Sequence, residues 1–121
     1  MCRAYRNLVS RFLLALSAIM FVGVGVAQAG TSRCTVKDVM VYANRIHVQC
    51  TTTTLDGSSN IRYFAVSAAD AKLADRLLTI GTTALVSGRR FIGGFTNGDV
   101  SGTSFNCSAG DCRKLTSFGI E

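Results

Sequence analysis

His47 is the one imidazole of the sequence and the only side chain that ordinarily changes charge near neutral pH. It stands between Ile46 and Val48 in an alternating apolar pattern, and no acid or nucleophile is paired with it in sequence. A strand residue whose ring lies in solvent explains this placement better than a general base or a pH sensor. Because no catalytic constellation is present, we predict that the protein is not an enzyme, and a small hydrolase or nuclease is disfavoured.

Cysteine usage predicts disulfides rather than a metal site. Beyond residue 29 the sequence has one histidine and no Cys-x-x-Cys pair, so we expect no metal and no cofactor. Four cysteines in a small exported domain are typical of two disulfides. They are Cys34, Cys50, Cys107 and Cys112.

Three pairings of these cysteines are open, and the local one is favoured. Cys107–Cys112 would close a short loop, and Cys34–Cys50 would staple the first hairpin. A tight turn at residues 43–44 places Cys34 opposite position 53, so this second bond requires a β-bulge. The alternative, Cys34–Cys112 with Cys50–Cys107, would tie the last strand to the first hairpin.

Basic residues open two predicted strands. Arg89-Arg90 and Arg113-Lys114 each follow a loop, and a fold that joins them would form a basic patch for phosphate, sialate or lipid A. An ordinary solvated face is the competing interpretation. Nucleic-acid binding is disfavoured, because ten basic residues against seven acidic ones beyond residue 29 give only a mild positive excess.

Two further candidates for ligand binding come from a loop and from the aromatic residues. The predicted loop Thr96–Asp111 is long and polar, which is typical of binding segments, and Asn97 and Asp99 are its candidate residues. The sequence has no tryptophan, so a sugar-stacking site would need Tyr42, Tyr63 or a phenylalanine. Tyr63 is included as a candidate, with a place in the core as the alternative.

The first 29 residues have the three parts of a signal peptide. A basic segment, 1–11, precedes the apolar run 12–26 and the small-x-small end Ala27-Gln28-Ala29. The apolar run is shorter than the roughly 20 residues that span a bilayer, so we expect cleavage after Ala29 rather than a membrane anchor. Residues 30–121 are then a single domain, exported to the periplasm or secreted.

Alternation and turn signals predict five strands. Residues 51–60, TTTTLDGSSN, are predicted to form a polar loop with a turn at Asp56-Gly57. A tight turn is predicted at Ala43-Asn44. The strands are two within Thr35–Cys50, one at Ile61–Val66, one at Arg89–Phe95 and one at Cys112–Ile120.

One long helix is predicted over residues 68–86. Ser67 and Asp70 form a capping-box-like pair at its start, and Gly88 can take the left-handed conformation at its end. Gly81 weakens the pattern by about 1 kcal/mol relative to alanine. Apolar residues recur at core-facing spacing, and the stripe comprises Leu73, Leu77, Ile80 and Ala84, widened by Leu78 and Leu85.

The resulting order, β-β-β-α-β-β, is similar to that of a five-stranded OB-fold barrel. The segments IRYFAVS, ADAKLADRLLTIGTTALVSGRRFI and CSAGDC also resemble the small binding subunits of pertussis-like and typhoid-like AB5 toxins. The segment VMVYAN, at residues 39–44, resembles a first hairpin of small exported bacterial proteins. The resemblance implies a disulfide-stapled barrel that binds glycans and assembles into a ring.

The function expected from these observations is that of a non-enzymatic exported binding or interaction domain. Its partner would be an unidentified protein or a glycan. A glycan-binding toxin subunit, which would form a homo-oligomer, is one alternative, and an inhibitor of other organisms' enzymes is another.

Overall fold

The computed structural model of the protein describes residues 28–121. Apart from Gln28 and Ala29, the predicted signal peptide lies outside the described residues. The described part is mainly β with one α-helix and two disulfides, as predicted.

Seven strands, one α-helix and one short 3-10 helix form the described part of the chain. In chain order these are β1 (Ala29–Cys34), β2 (Val36–Val41), β3 (Arg45–Asp56), β4 (Ser59–Ser67), α1 (Ala71–Ser87), β5 (Phe91–Thr96), the 3-10 helix η1 (Ser101–Phe105), β6 (Cys112–Lys114) and β7 (Ser117–Ile120).

The prediction of a closed five-stranded barrel is wrong. The strands form two open sheets, one with the order β1-β5-β7 and one with the order β2-β3-β4-β6. All pairs are antiparallel except β4 and β6, which run parallel. The last predicted strand, 112–120, is in fact two: at Leu115 and Thr116 the chain leaves one sheet and joins the other, so β6 and β7 pair with different strands.

The predicted polar loop at residues 51–60 is also wrong. β3 continues through its threonines to Asp56, and β4 begins at Ser59, so the hairpin turns at Gly57-Ser58. Threonine is β-branched and favours strands, and Thr54 shares a hydrogen bond of 2.7 Å with Ser32 of β1. The first hairpin was placed correctly, since the Tyr42 N–H donates to the Arg45 carbonyl across the turn.

The helix was predicted well, with a shift at its start. The side chain of Asp70, rather than Ser67, accepts the Leu73 N–H at 3.1 Å, so α1 begins one turn later than expected. Gly88 ends it in the left-handed conformation, as predicted. Leu78 and Leu85 are exposed, and the buried side of the helix comprises Ala74, Leu77, Gly81 and Ala84.

Both disulfides follow the favoured pairing. Cys34 bonds Cys50 with a Cα–Cα distance of 5.6 Å, and Cys107 bonds Cys112 at 5.2 Å. A bulge is present at Lys37, because Val36 pairs with Cys50 while Asp38 pairs with the adjacent Gln49, but it shifts the register by one residue and the expected hairpin pairing needed three. Cys34 belongs to β1 and Cys50 to β3, so this bond joins the two sheets.

Apolar side chains form two clusters. The larger lies between the sheets and under α1, and it includes the ring pair Phe64–Phe95 at 5.7 Å. The smaller lies on the opposite face of the β2-β3-β4-β6 sheet, where η1 and the Cys107–Cys112 loop cover it. Its buried members are Ala65, Phe105, Cys107 and Cys112. Both faces of this sheet are therefore covered.

Candidate functional site

His47 is buried, which overturns the interpretation of a solvated ring. It lies on the face of β3 opposite the main core, as alternation predicted, yet only 6% of it is exposed. The smaller apolar cluster on that face explains the difference. His47 pairs in register with Ala65, a member of that cluster, so the covering loop reaches the imidazole as well.

Two tyrosines flank the imidazole. The ring of Tyr42 lies 5.2 Å from His47 and the ring of Tyr63 lies 5.0 Å from it, both tilted. Register explains this row, because His47 pairs with Met40 and Ala65, and the tyrosines are each displaced by two residues from those partners. Strands β3 and β4, and the residue that directly follows β2, therefore place three rings side by side on one sheet face.

Arg45 contributes a cation with an unused donor. Its guanidinium lies over the ring of Tyr42, 4.1 Å from the centroid, within the range of a cation–π interaction. The Nε atom of Arg45 is buried and has no hydrogen-bond partner among the described residues. A buried donor without an acceptor is unfavourable, so Arg45 is held in this position at a cost in stability.

The loop closed by Cys107–Cys112 forms the other side of the site. The backbone carbonyl of Asp111 accepts the N–H groups of Arg62 and Tyr63, which fixes the loop against β4. Asn106, Ser108 and Asp111 then face the same space as the aromatic row. We call this partly open space the tyrosine pocket; its volume is about 250 Å³, and it is lined by Tyr42, Arg45, His47, Tyr63, Asn106, Ser108, Asp111 and Cys112.

The pocket brings together a hydroxyl group, an imidazole and a carboxylate. Ser108, His47 and Asp111 share it, but within residues 28–121 no hydrogen bond or ion pair joins the imidazole to either residue. Within the described residues these three side chains are therefore not joined in the linked series that is typical of nucleophilic catalysis. No group of three potential metal-ligating side chains is found in the described part of the chain.

Arg113 does not belong to a ligand-binding basic patch. Only 3% of it is exposed, and its Nε lies 2.6 Å from Oδ2 of Asp56 in a buried ion pair. Its Nη1 donates to the carbonyls of Ala109 and Cys112. The Nε and Nη1 groups thus hold the disulfide loop to the end of β3.

The other predicted basic residues lie apart. Arg89 and Arg90 precede β5 and contact Glu121, together with Arg33 of β1. Lys114 lies on β6, and its positive charge lowers the pKa of Asp99, which follows the opposite end of β5 from Arg89 and Arg90. The structure therefore does not bring Arg89 and Arg90 together with Lys114.

Asn97 and Asp99 lie in the turn after β5, outside the tyrosine pocket. The Asn97 N–H donates to the Gln28 carbonyl, and Asp99 accepts the Ser101 N–H at 2.9 Å at the start of η1. Hydrogen bonds from Ser101 lower the pKa of Asp99, with Lys114 and Arg113 adding to the effect. Their described contacts are structural. Among the sequence candidates for ligand binding, Tyr63 lines the pocket, and so does Tyr42, which was named as a possible sugar-stacking residue.

Comparisons with protein-family models, with curated proteins and with solved structures give no match. The toxin-subunit resemblance therefore stays a prediction. Over residues 28–121, no helix has the length and apolar character needed to cross a bilayer.

Proposed function

We propose that this protein is a non-enzymatic, exported binding domain that takes one sugar ring of a glycan in the tyrosine pocket. The observation that carries the proposal is the placement of both Tyr42 and Tyr63 beside one pocket, about 5 Å on either side of His47. Aromatic rings offer an apolar face to the C–H groups of a sugar, and their hydroxyl groups remain available for hydrogen bonds.

The polar groups of the pocket suit the hydroxyl groups of the same ligand. Arg45 supplies a guanidinium group, while Asp111, Ser108 and Asn106 supply acceptors and donors around the rim. Pockets for drug-sized ligands occupy about 300–1,000 Å³, so this smaller space fits a single ring rather than an oligosaccharide. A longer glycan would extend into solvent.

Two disulfides support export, since such bonds persist in oxidising compartments. The periplasm and the extracellular medium both satisfy this requirement.

The test is a glycan array at about pH 7.5, followed by titration of the best binder into variants. Tyr63→Ala removes one ring and should weaken binding by about tenfold or more. Leu55→Ala is the matched control, because Leu55 lies near the far end of the same hairpin and is 71% exposed. Absence of any bound glycan, or equal affinity in Tyr63→Ala and the control, would overturn the proposal.

A further inference from the structure

The imidazole of His47 is held by stacking rather than by hydrogen bonds. Within residues 28–121 no hydrogen bond to a ring nitrogen is found, although a neutral imidazole has one donor and one acceptor. The ring lies between two tyrosine rings, and only 6% of the residue is exposed, where it lines the tyrosine pocket. Contact with the two rings therefore holds the imidazole in position.

The charged groups around His47 come from three parts of the fold. Arg45 lies on the same strand, Asp38 on β2, and Asp111 in the disulfide loop. Burial, and next the charge of Arg45, lower the pKa of His47 below its ordinary value of 6.5, while Asp38 and Asp111 act in the opposite direction. At neutral pH the ring is consequently neutral.

A protonated ring would be poorly accommodated in this position. Aromatic faces can stabilise a cation, but the Arg45 guanidinium already covers the ring of Tyr42. An imidazolium would add a second positive charge beside it, and water could reach this charge only from the pocket side. Movement of the ring into solvent would relieve both costs.

We propose that His47 is a proton-operated switch of the tyrosine pocket, which holds the row of three rings together when neutral and separates it when charged. Release of a sugar at mildly acidic pH is the consequence, and this part rests on the proposed function. A neutral sugar that covers His47 binds only while the ring is uncharged, so protons and the sugar compete.

The first test needs no ligand. His47 is the only histidine of the chain, so its imidazole signals in an NMR spectrum of the full chain are unambiguous. Titration from about pH 8 to about pH 4.5 should give a midpoint below 6.5, with the ring signals of Tyr42 and Tyr63 moving at the same midpoint. A midpoint at or above 6.5, or tyrosine signals that do not follow the imidazole, would overturn the switch.

Variants then separate the switch from general acid effects. His47→Phe keeps an aromatic ring but cannot titrate, so the tyrosine signals should no longer change over this pH range. Arg45→Gln should raise the midpoint of His47, and Asp111→Asn should lower it, because each removes a charge acting on the ring. Asp75→Asn on the exposed side of α1 is the control and should leave the midpoint unchanged. Circular dichroism establishes that each variant is folded.

The second test uses galactose and N-acetylglucosamine as probes. Their affinity for the full chain should fall about twofold between about pH 7.5 and the midpoint measured for His47, and further below that midpoint, and the affinity of His47→Phe should stay constant over the same range, whatever its absolute value. Equal weakening in both proteins would overturn the switch. If the glycan array and these probes all fail at pH 7.5, the proposed function fails, while the ligand-free titration still decides the switch.

Discussion

A single carboxylate, Asp56, holds together three distant parts of the chain. It lies at the end of β3, accepts the Gly98 N–H from the turn after β5, and pairs with Arg113 at the start of β6. Hydrogen bonds from Arg113 and Gly98 lower the pKa of Asp56, although burial acts against this. The ion pair therefore positions the loop that forms one side of the tyrosine pocket.

Breaking this ion pair should be costly. Arg113→Met leaves a buried carboxylate without its partner, and we expect a loss of about 3–5 kcal/mol in the free energy of unfolding, measured with urea. Arg90→Gln is the control, since Arg90 is exposed in its contact with Glu121 and should change stability by about 0–1 kcal/mol. A loss for Arg113→Met no larger than that of the control would contradict the role of the pair.

The same ion pair determines how the stability of the protein changes at acidic pH. The folded protein holds Asp56 ionised at pH values where the unfolded chain, with a pKa near 3.8, begins to bind a proton. The stabilisation is therefore present above about pH 3.8 and is lost as pH falls through the lower folded value. Arg113→Met should show a weaker loss of stability over this acidic range.

The environment of a side chain was predictable where neighbouring residues determine it. It was not predictable where a segment distant in sequence covers the side chain or pairs with it. Alternation correctly assigned His47 to the face opposite Ile46 and Val48. It could not reveal that η1 and the disulfide loop cover that face, because those residues lie about 60 positions further along the chain. The burial of Arg113 escaped prediction for the same reason, since its partner Asp56 was assigned to a loop.

Gly81 shows how packing determines a residue in the middle of α1. A Cβ at this position would lie 2.9 Å from Cγ2 of Val48 and 3.1 Å from Cγ2 of Val39. The helix thus approaches β2 and β3 closely at this point. The sequence pattern indicated only that glycine weakens the helix, because the close approach belongs to the tertiary structure.

Gly81→Ala should destabilise the protein in spite of alanine's higher helix propensity. Both valines are held by the sheet, so we expect overpacking of about 1–3 kcal/mol to exceed a propensity gain of about 1 kcal/mol. Thr82→Ala is the matched control on the exposed side of the same turn, and it should be neutral or slightly stabilising. Thermal unfolding of both variants checks this. A higher melting temperature for Gly81→Ala would contradict this prediction, because it would show that Val39 and Val48 shift at little cost to make room for the methyl group.

At the scale of the elements, strands with alternating apolar residues were predicted correctly. The sheet to which each strand belongs was not predicted. The first hairpin, the helix and its left-handed end agree with the sequence analysis. β1 was missed, and the split between β6 and β7 was missed, because both depend on pairing with β5 and β4 far along the chain. The predicted barrel followed from treating residues 112–120 as one strand.

At the scale of the whole molecule, the two disulfides have different roles. Cys34–Cys50 connects the two sheets, and Cys107–Cys112 shapes the loop that lines the pocket. In the chain-entropy account a loop of about 15 residues contributes about 3 kcal/mol, and a shorter loop contributes less. Stability should therefore depend more on the first bond, and the pocket more on the second.

Paired replacement by alanine separates these roles. Cys34→Ala with Cys50→Ala should lower the free energy of unfolding by about 2–4 kcal/mol. Cys107→Ala with Cys112→Ala should cost less stability, and it should change the NMR signals of His47 and Tyr63 while the signals of α1 stay in place. The opposite pattern, with the pocket signals disturbed by loss of the first bond alone, would contradict the assignment.

The most direct test of sugar binding in the tyrosine pocket is NMR mapping of the glycan selected by the array. Addition of that glycan to the full chain at about pH 7.5 should shift the signals of Tyr42, His47, Tyr63 and Asp111 and leave those around Arg89 and Arg90 unchanged. Shifts confined to Arg33, Arg89 and Arg90, or to the exposed side of α1, would place the binding site elsewhere and contradict the account.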